Sequence, residues 1–251
     1  MGRNDDVIPE AVQAQLLAVG IPSTKHRREV LAGFFPNEFN IAAAGLNTED
    51  LARVLVHFAE NGIISVGDRV TAIKEVVPGW HFCRFYRSDQ ELVDLIAPYI
   101  VEGLQNHEGC FWVLPESVTN DAACAALART VGNVDGYLAS GQLEMMNHRD
   151  WYLDEAGRLK AFDRVSEGLL AKQNGALARG FKFLRAAGDT GWVSGTEESK
   201  AFIDYELKIN AALGATKIAA VCTYRSDVTA DELVAIVTAH QGSLSSSLAS
   251  A

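Results

Sequence analysis

Long apolar runs are missing from this chain. No stretch of its 251 residues reaches the roughly 18 apolar residues of a membrane span, and its start, MGRNDDVIPE, is too polar for a signal peptide. The expectation is a cytoplasmic protein with no membrane partner. Cysteine is scarce and scattered. Cys83, Cys110, Cys124 and Cys222 form no CxxC pair, which suits a thiol-reduced compartment better than a disulfide framework. Nucleotide signatures are missing too: no GxxxxGK precedes a Ser or Thr, and no GxGxxG follows an apolar run. The backbone cradle and lysine that hold a triphosphate are therefore lacking, which counts against a P-loop ATPase. Positive charge is in deficit. With 22 Lys and Arg against 32 Asp and Glu the net charge is −10, and residues 1–78 carry 7 basic and 10 acidic side chains, so the chain is no general polyanion binder.

What is present begins with His81-Phe82-Cys83-Arg84-Phe85-Tyr86, which has no Gly or Pro and reads as a buried strand. Ser88 with Glu91 three residues on is a capping box for a helix whose Leu92, Leu95, Ile96 and Tyr99 share one face. A strand running into a capped helix is the first half of a βαβ unit. The alternation continues: strands at 110–114, 142–146, 181–185 and 217–224 are separated by helices from Thr119, over 162–179 and over 197–212, and Thr229 with Glu232 caps a last helix ending near His240. This order predicts an α/β fold over residues 79–242, a largely parallel sheet flanked by helices. Residues 243–251 lack a core-forming pattern and read as a flexible tail.

Residues 1–78 read as a separate small domain. Its helices end in one carrying Leu51, Val54, Leu55 and Phe58, and residues 63–66 and 69–73 flank the turn Gly67-Asp68 as a hairpin, the order of a winged helix. The segment from Ile41 through Gly45-Leu46-Asn47-Thr48-Glu49-Asp50-Leu51-Ala52-Arg53 to Ile64 resembles the DNA-binding module of CRP/FNR-type transcription regulators. That resemblance implies DNA contacts from Thr48, Glu49 and Arg53. Arginine reads guanine by a bidentate contact and Glu accepts from cytosine. The plain alternative is an acidic winged helix that binds a signalling protein, with Glu49 and Arg53 a solvated i,i+4 pair.

The second resemblance spans nearly all of residues 79–242. Gly79-Trp80-His81-Phe82-Cys83-Arg84-Phe85-Tyr86, Pro98 to Leu104, Arg185-Ala186-Ala187-Gly188-Asp189-Thr190-Gly191-Trp192, Tyr205-Glu206 and Cys222-Thr223-Tyr224 resemble the MEDS sensory domain. It implies a sensor of small hydrocarbon derivatives, an α/β fold akin to RecA/KaiC-like ATPases without their nucleotide loop, and a small-molecule ligand.

Strand-end geometry points to Tyr86, His148, Arg185, Asp189, Trp192, Tyr224 and Arg225 gathered at the carboxyl edge of the sheet, aromatic walls with few polar groups. In this reading Gly188 and Gly191 let Trp192 close as a lid over a pocket walled by Tyr86 and Tyr224. His81 and Cys83, two apart on a strand, share a face, and with Cys222 and Glu206 have the residue types of metal ligands. Buried Cys and His are equally ordinary core residues. The candidate ligand-binding set is thus His81, Cys83, Tyr86, Arg185, Asp189, Trp192, Glu206 and Tyr224, with no metal and no cofactor assigned. No nucleophile-base or acid pair can be placed from spacing, so the chain reads as a regulator and not an enzyme, with a homo-oligomer as the expected assembly.

Overall fold

His81–Tyr86 forms strand β1, and all six of its residues are buried. The computed structural model describes residues 76–193 and 199–225 and, beyond them, Val228, Glu232, Ala235, Ile236, Ala239, His240, Gly242 and Ser243. The winged helix, with Thr48, Glu49 and Arg53, lies outside the described residues.

Five more strands follow: β2 (Gly109–Leu114), β3 (Leu143–Asn147), β4 (Leu184–Asp189), β5 (Ile218–Arg225) and the two-residue β6 (Gly242–Ser243). They form one sheet of order β3-β2-β4-β5-β1-β6, parallel at every pairing. Helices α1 (Asp89–Gln105), α2 (Asn120–Val131), α3 (Val134–Ala139), α4 (His148–Tyr152), α5 (Phe162–Ala178) and α6 (Ser199–Leu213) connect them. The expected α/β fold is the observed one. At α1, Ser88 Oγ accepts from the Glu91 amide at 3.3 Å, but Glu91 Oε2 accepts from the Arg87 amide at 2.8 Å, one residue before the cap. Thr119 caps α2 by accepting from the Ala122 amide at 3.2 Å.

Because side chains alternate along a strand, the sheet has two distinct faces. Phe82, Tyr86, Cys110, Trp112, Leu114, Ala187, Ala219 and Val221 pack with α1 and α2 on one. Cys83, Phe85, Phe111, Val113, Ala186, Ala220, Cys222 and Tyr224 pack with α5 and α6 on the other.

Three features differ from the sequence reading. The fourth strand is 184–189, not 181–185. Ala186-Ala187-Gly188 has little strand preference of its own, and β4 is central, paired to β2 and β5, so tertiary context decides. A side chain at Gly188 would run into the Tyr152 hydroxyl, and one at Gly191 into the Tyr86 hydroxyl. Helices α3 and α4, of 6 and 5 residues, are too short for periodicity to reveal; their signal lies in the caps Asn133 and Asn147. Finally, Ser243 does not belong wholly to a tail, since Gly242 and Ser243 pair with Phe82 and Cys83.

Candidate functional site

On the face covered by α6, β1 and β5 bring His81 beside Cys222, and α6 lays Glu206 over both. His81 Nε2 lies 3.2 Å from Glu206 Oε2 and 3.4 Å from Cys222 Sγ, and Cys222 Sγ is 3.7 Å from the same carboxylate oxygen. Tyr224 donates its hydroxyl to the other oxygen, Glu206 Oε1, at 3.1 Å. His240, just before β6, completes the group: its Nε2 is 3.7 Å from Glu206 Oε2, and its ring lies 4.1 Å from that of His81. All five side chains are buried.

Burial dictates the electrostatics. It pushes the His81 pKa down to about 3, partly offset by the neighbouring Asn210 amide. It raises Glu206, against the opposing pull of His240, Tyr224 and Cys222. It also raises Cys222 well above the usual thiol range, with the Glu206 carboxylate adding to the effect. Each group is thereby driven toward its neutral form.

The cluster opens into a cavity of about 40 Å³ between the sheet and helices α4, α5 and α6. Phe111, Trp151, Tyr152, Leu169 and Ile209 wall it, and His81, Glu206 and Cys222 are its polar end.

The remaining expected residues scatter. Cys83 is buried on the same face and in register with Cys222, but it is not one of the four gathered donors. Tyr86 points to the α1 face, where its hydroxyl donates to Asp189 Oδ1 at 2.7 Å. Burial raises Asp189 to about 6, opposed by the Tyr86 hydroxyl, the Gly191 amide and Thr223. Tyr86 and Tyr224 therefore lie on opposite faces and do not wall one pocket. Arg185 is not at the carboxyl edge: it is the second residue of β4, ion-paired to Glu108 at 2.6 Å and stacked on Tyr99. Trp192 is half-buried against His148, Tyr152 and Phe202, one ring removed from the cavity.

Residues 80–241 match the family described as MEDS, the methanogen/methylotroph, DcmR sensory domain. The chain belongs to the MEDS family. No curated protein matches it. Among solved structures, it is similar to a KaiC-like protein from hyperthermophilic Pyrococcus horikoshii OT3 at 14% identity, covering 64% of this chain and 68% of that one, with a TM-score of 0.43. Among the described residues, no helix of this MEDS protein is long and apolar enough to cross a membrane.

Sequence reasoning missed one member of the MEDS cluster, His240. Its position reads only as the end of a helix, and what brings it to His81 is the return of the chain into β6. A single histidine two residues ahead of a short strand carries no pattern that would expose this.

Proposed function

We propose that this MEDS domain is a receptor for a small, largely apolar molecule bound in the cavity beneath α5 and α6. The observation that carries the reading is the cavity's make-up, an aromatic and aliphatic wall ending in one polar cluster, the usual lining of a small-molecule site. Its volume of about 40 Å³ is room for roughly three water-sized groups, hence for a molecule of a few heavy atoms. That size agrees with the hydrocarbon derivatives implied by the family resemblance. The function is binding and not catalysis: the buried thiol of Cys222 is held protonated, the reverse of an activated nucleophile. In this reading the protein is cytoplasmic and homo-oligomeric, and ligand occupancy is passed to residues 1–78, which contact DNA through Thr48, Glu49 and Arg53.

A thermal-shift screen of the full chain against short alcohols, amines and halocarbons tests the receptor. At least one class should raise the melting temperature saturably; a flat response across all three refutes it. Electrophoresis on DNA upstream of the protein's own reading frame tests the output. Arg53→Ala should cost about 1–3 kcal/mol of specific binding, and no retardation at low salt would transfer the output to a signalling-protein partner.

A further inference from the structure

We propose that His81, Glu206, Cys222 and His240 form a buried binding site for one divalent transition-metal ion, zinc foremost. One ligand atom from each residue can be chosen so that all four lie within 4.8 Å of one another. A tetrahedral zinc ion with bonds of about 2.0–2.2 Å to nitrogen and oxygen and about 2.3 Å to sulfur spaces its ligand atoms by roughly 3.3–3.6 Å. The distances here are 3.2 Å and 3.4 Å from His81 Nε2 to Glu206 and Cys222, and 3.7 Å from Glu206 Oε2 to Cys222 and to His240. They are close to the edges of such a tetrahedron.

The surroundings have the character of a metal site's outer shell. His240 Nδ1 is 2.6 Å from the Ile236 carbonyl. A carbonyl only accepts, so Nδ1 carries the proton and Nε2 presents a lone pair to the cluster. A second ring nitrogen tied to a carbonyl is how metal-bound imidazoles are oriented. The Tyr224 hydroxyl does the same for the carboxylate, holding Glu206 Oε1 while Oε2 faces the other donors.

Charge and softness select the ion. Thiolate and carboxylate together supply two negative charges, so a divalent cation leaves the buried site neutral, and the Cys222 thiol proton, with any proton that burial holds on Glu206, passes to solvent on binding. A thiolate with two imidazoles favours zinc and its neighbours over calcium or magnesium. With four protein ligands the centre is of the closed, structural kind. It would tie β1, β5, α6 and the segment before β6 to one point.

The inference shares His81, Glu206 and Cys222 with the polar end of the receptor cavity, yet the two readings fail separately. Loss of ligand response in metal-loaded protein refutes only the receptor, and absence of metal with an intact ligand response refutes only the site. The test is metal analysis of the full chain purified without chelator, followed by cobalt(II) titration of the stripped protein. One equivalent of metal per chain is expected, with the intense visible bands of tetrahedral cobalt and a near-ultraviolet thiolate-to-cobalt band. Cys222→Ser should remove the near-ultraviolet band, and Tyr224→Phe should weaken binding about 10- to 100-fold while leaving the spectrum unchanged. A wild-type protein that carries no stoichiometric metal and binds no cobalt saturably overturns the proposal, whatever the variants do. A cobalt spectrum unchanged by Cys222→Ser overturns it as well, since the ion would then sit elsewhere.

Discussion

The two faces of this sheet treat buried polar groups in opposite ways. Beneath α1, two pairs are closed off partner against partner: Arg185 with Glu108 at 2.6 Å and Tyr86 with Asp189 at 2.7 Å. Beneath α5 and α6, four donors converge on one another at the end of a cavity. A matched pair needs nothing further, and its chemistry is structural. Converging nitrogen, oxygen and sulfur donors beside a cavity are the residue types that hold a bound ion or ligand. The proposal rests on this contrast between the two faces of one sheet.

The largest effect should come from breaking the contrast on the structural side. Glu108→Ala leaves the Arg185 guanidinium buried against Tyr99 without its carboxylate and should cost about 3–5 kcal/mol. Denaturant unfolding measures it, and an apolar replacement of both partners should recover most of the loss.

Next in size, the two faces should respond to pH with opposite sign. Asp189 rises from 3.8 to about 6 in the fold. Its stabilising contribution is complete below pH 3.8 and lost as pH rises through 6, an effect on the order of 3 kcal/mol. Asp189→Asn should therefore match the wild type near pH 4 and exceed it at pH 8. His81 falls from 6.5 to about 3, so its contribution is complete above 6.5 and lost as pH falls toward 3. His81→Gln, compared in the presence of chelator, should flatten that acid limb.

How much of this was legible in the sequence follows the same division. β1, the Ser88 and Thr119 caps and the shared face of His81 and Cys83 are local patterns, set by alternation and by residues three apart, and the chain shows them as read, except that Glu91 reaches the Arg87 amide and not that of Ser88. Glu206, Cys222 and Tyr224 were readable as candidates because helix and strand periods place them on known elements. Arg185 was misplaced because its strand begins three residues later than its apolar run, which moves it from the carboxyl edge to the second residue of β4. The partner of Arg185, 77 residues away, and the approach of His240 to His81 depend on crossovers that no local signal encodes.

A smaller loss is expected for Trp192→Ala. Half-buried among His148, Tyr152 and Phe202, Trp192 should contribute about 1–3 kcal/mol, less than a fully buried tryptophan. A full 3–5 kcal/mol in thermal and denaturant melts would make it core. The smallest change should be Glu206→Gln in the metal-free protein. It keeps an acceptor for Tyr224 and removes a carboxylate that burial disfavours, so stability should move by less than about 1 kcal/mol. Metal binding should nevertheless fall sharply, separating function from fold on the α6 face.

The most direct measurement is a fluorescence titration of the full chain with the small alcohol, amine or halocarbon that gives the largest thermal shift, run on the wild type and on Leu169→Phe. Trp151 and Leu169 both line the cavity, so the tryptophan reports occupancy and the added ring volume opposes it. A saturable change in the wild type, weakened at least tenfold in a Leu169→Phe variant of normal melting temperature, is the predicted result. Equal saturation in both proteins would place the ligand elsewhere and contradict the assignment of the α5/α6 face as the sensing side.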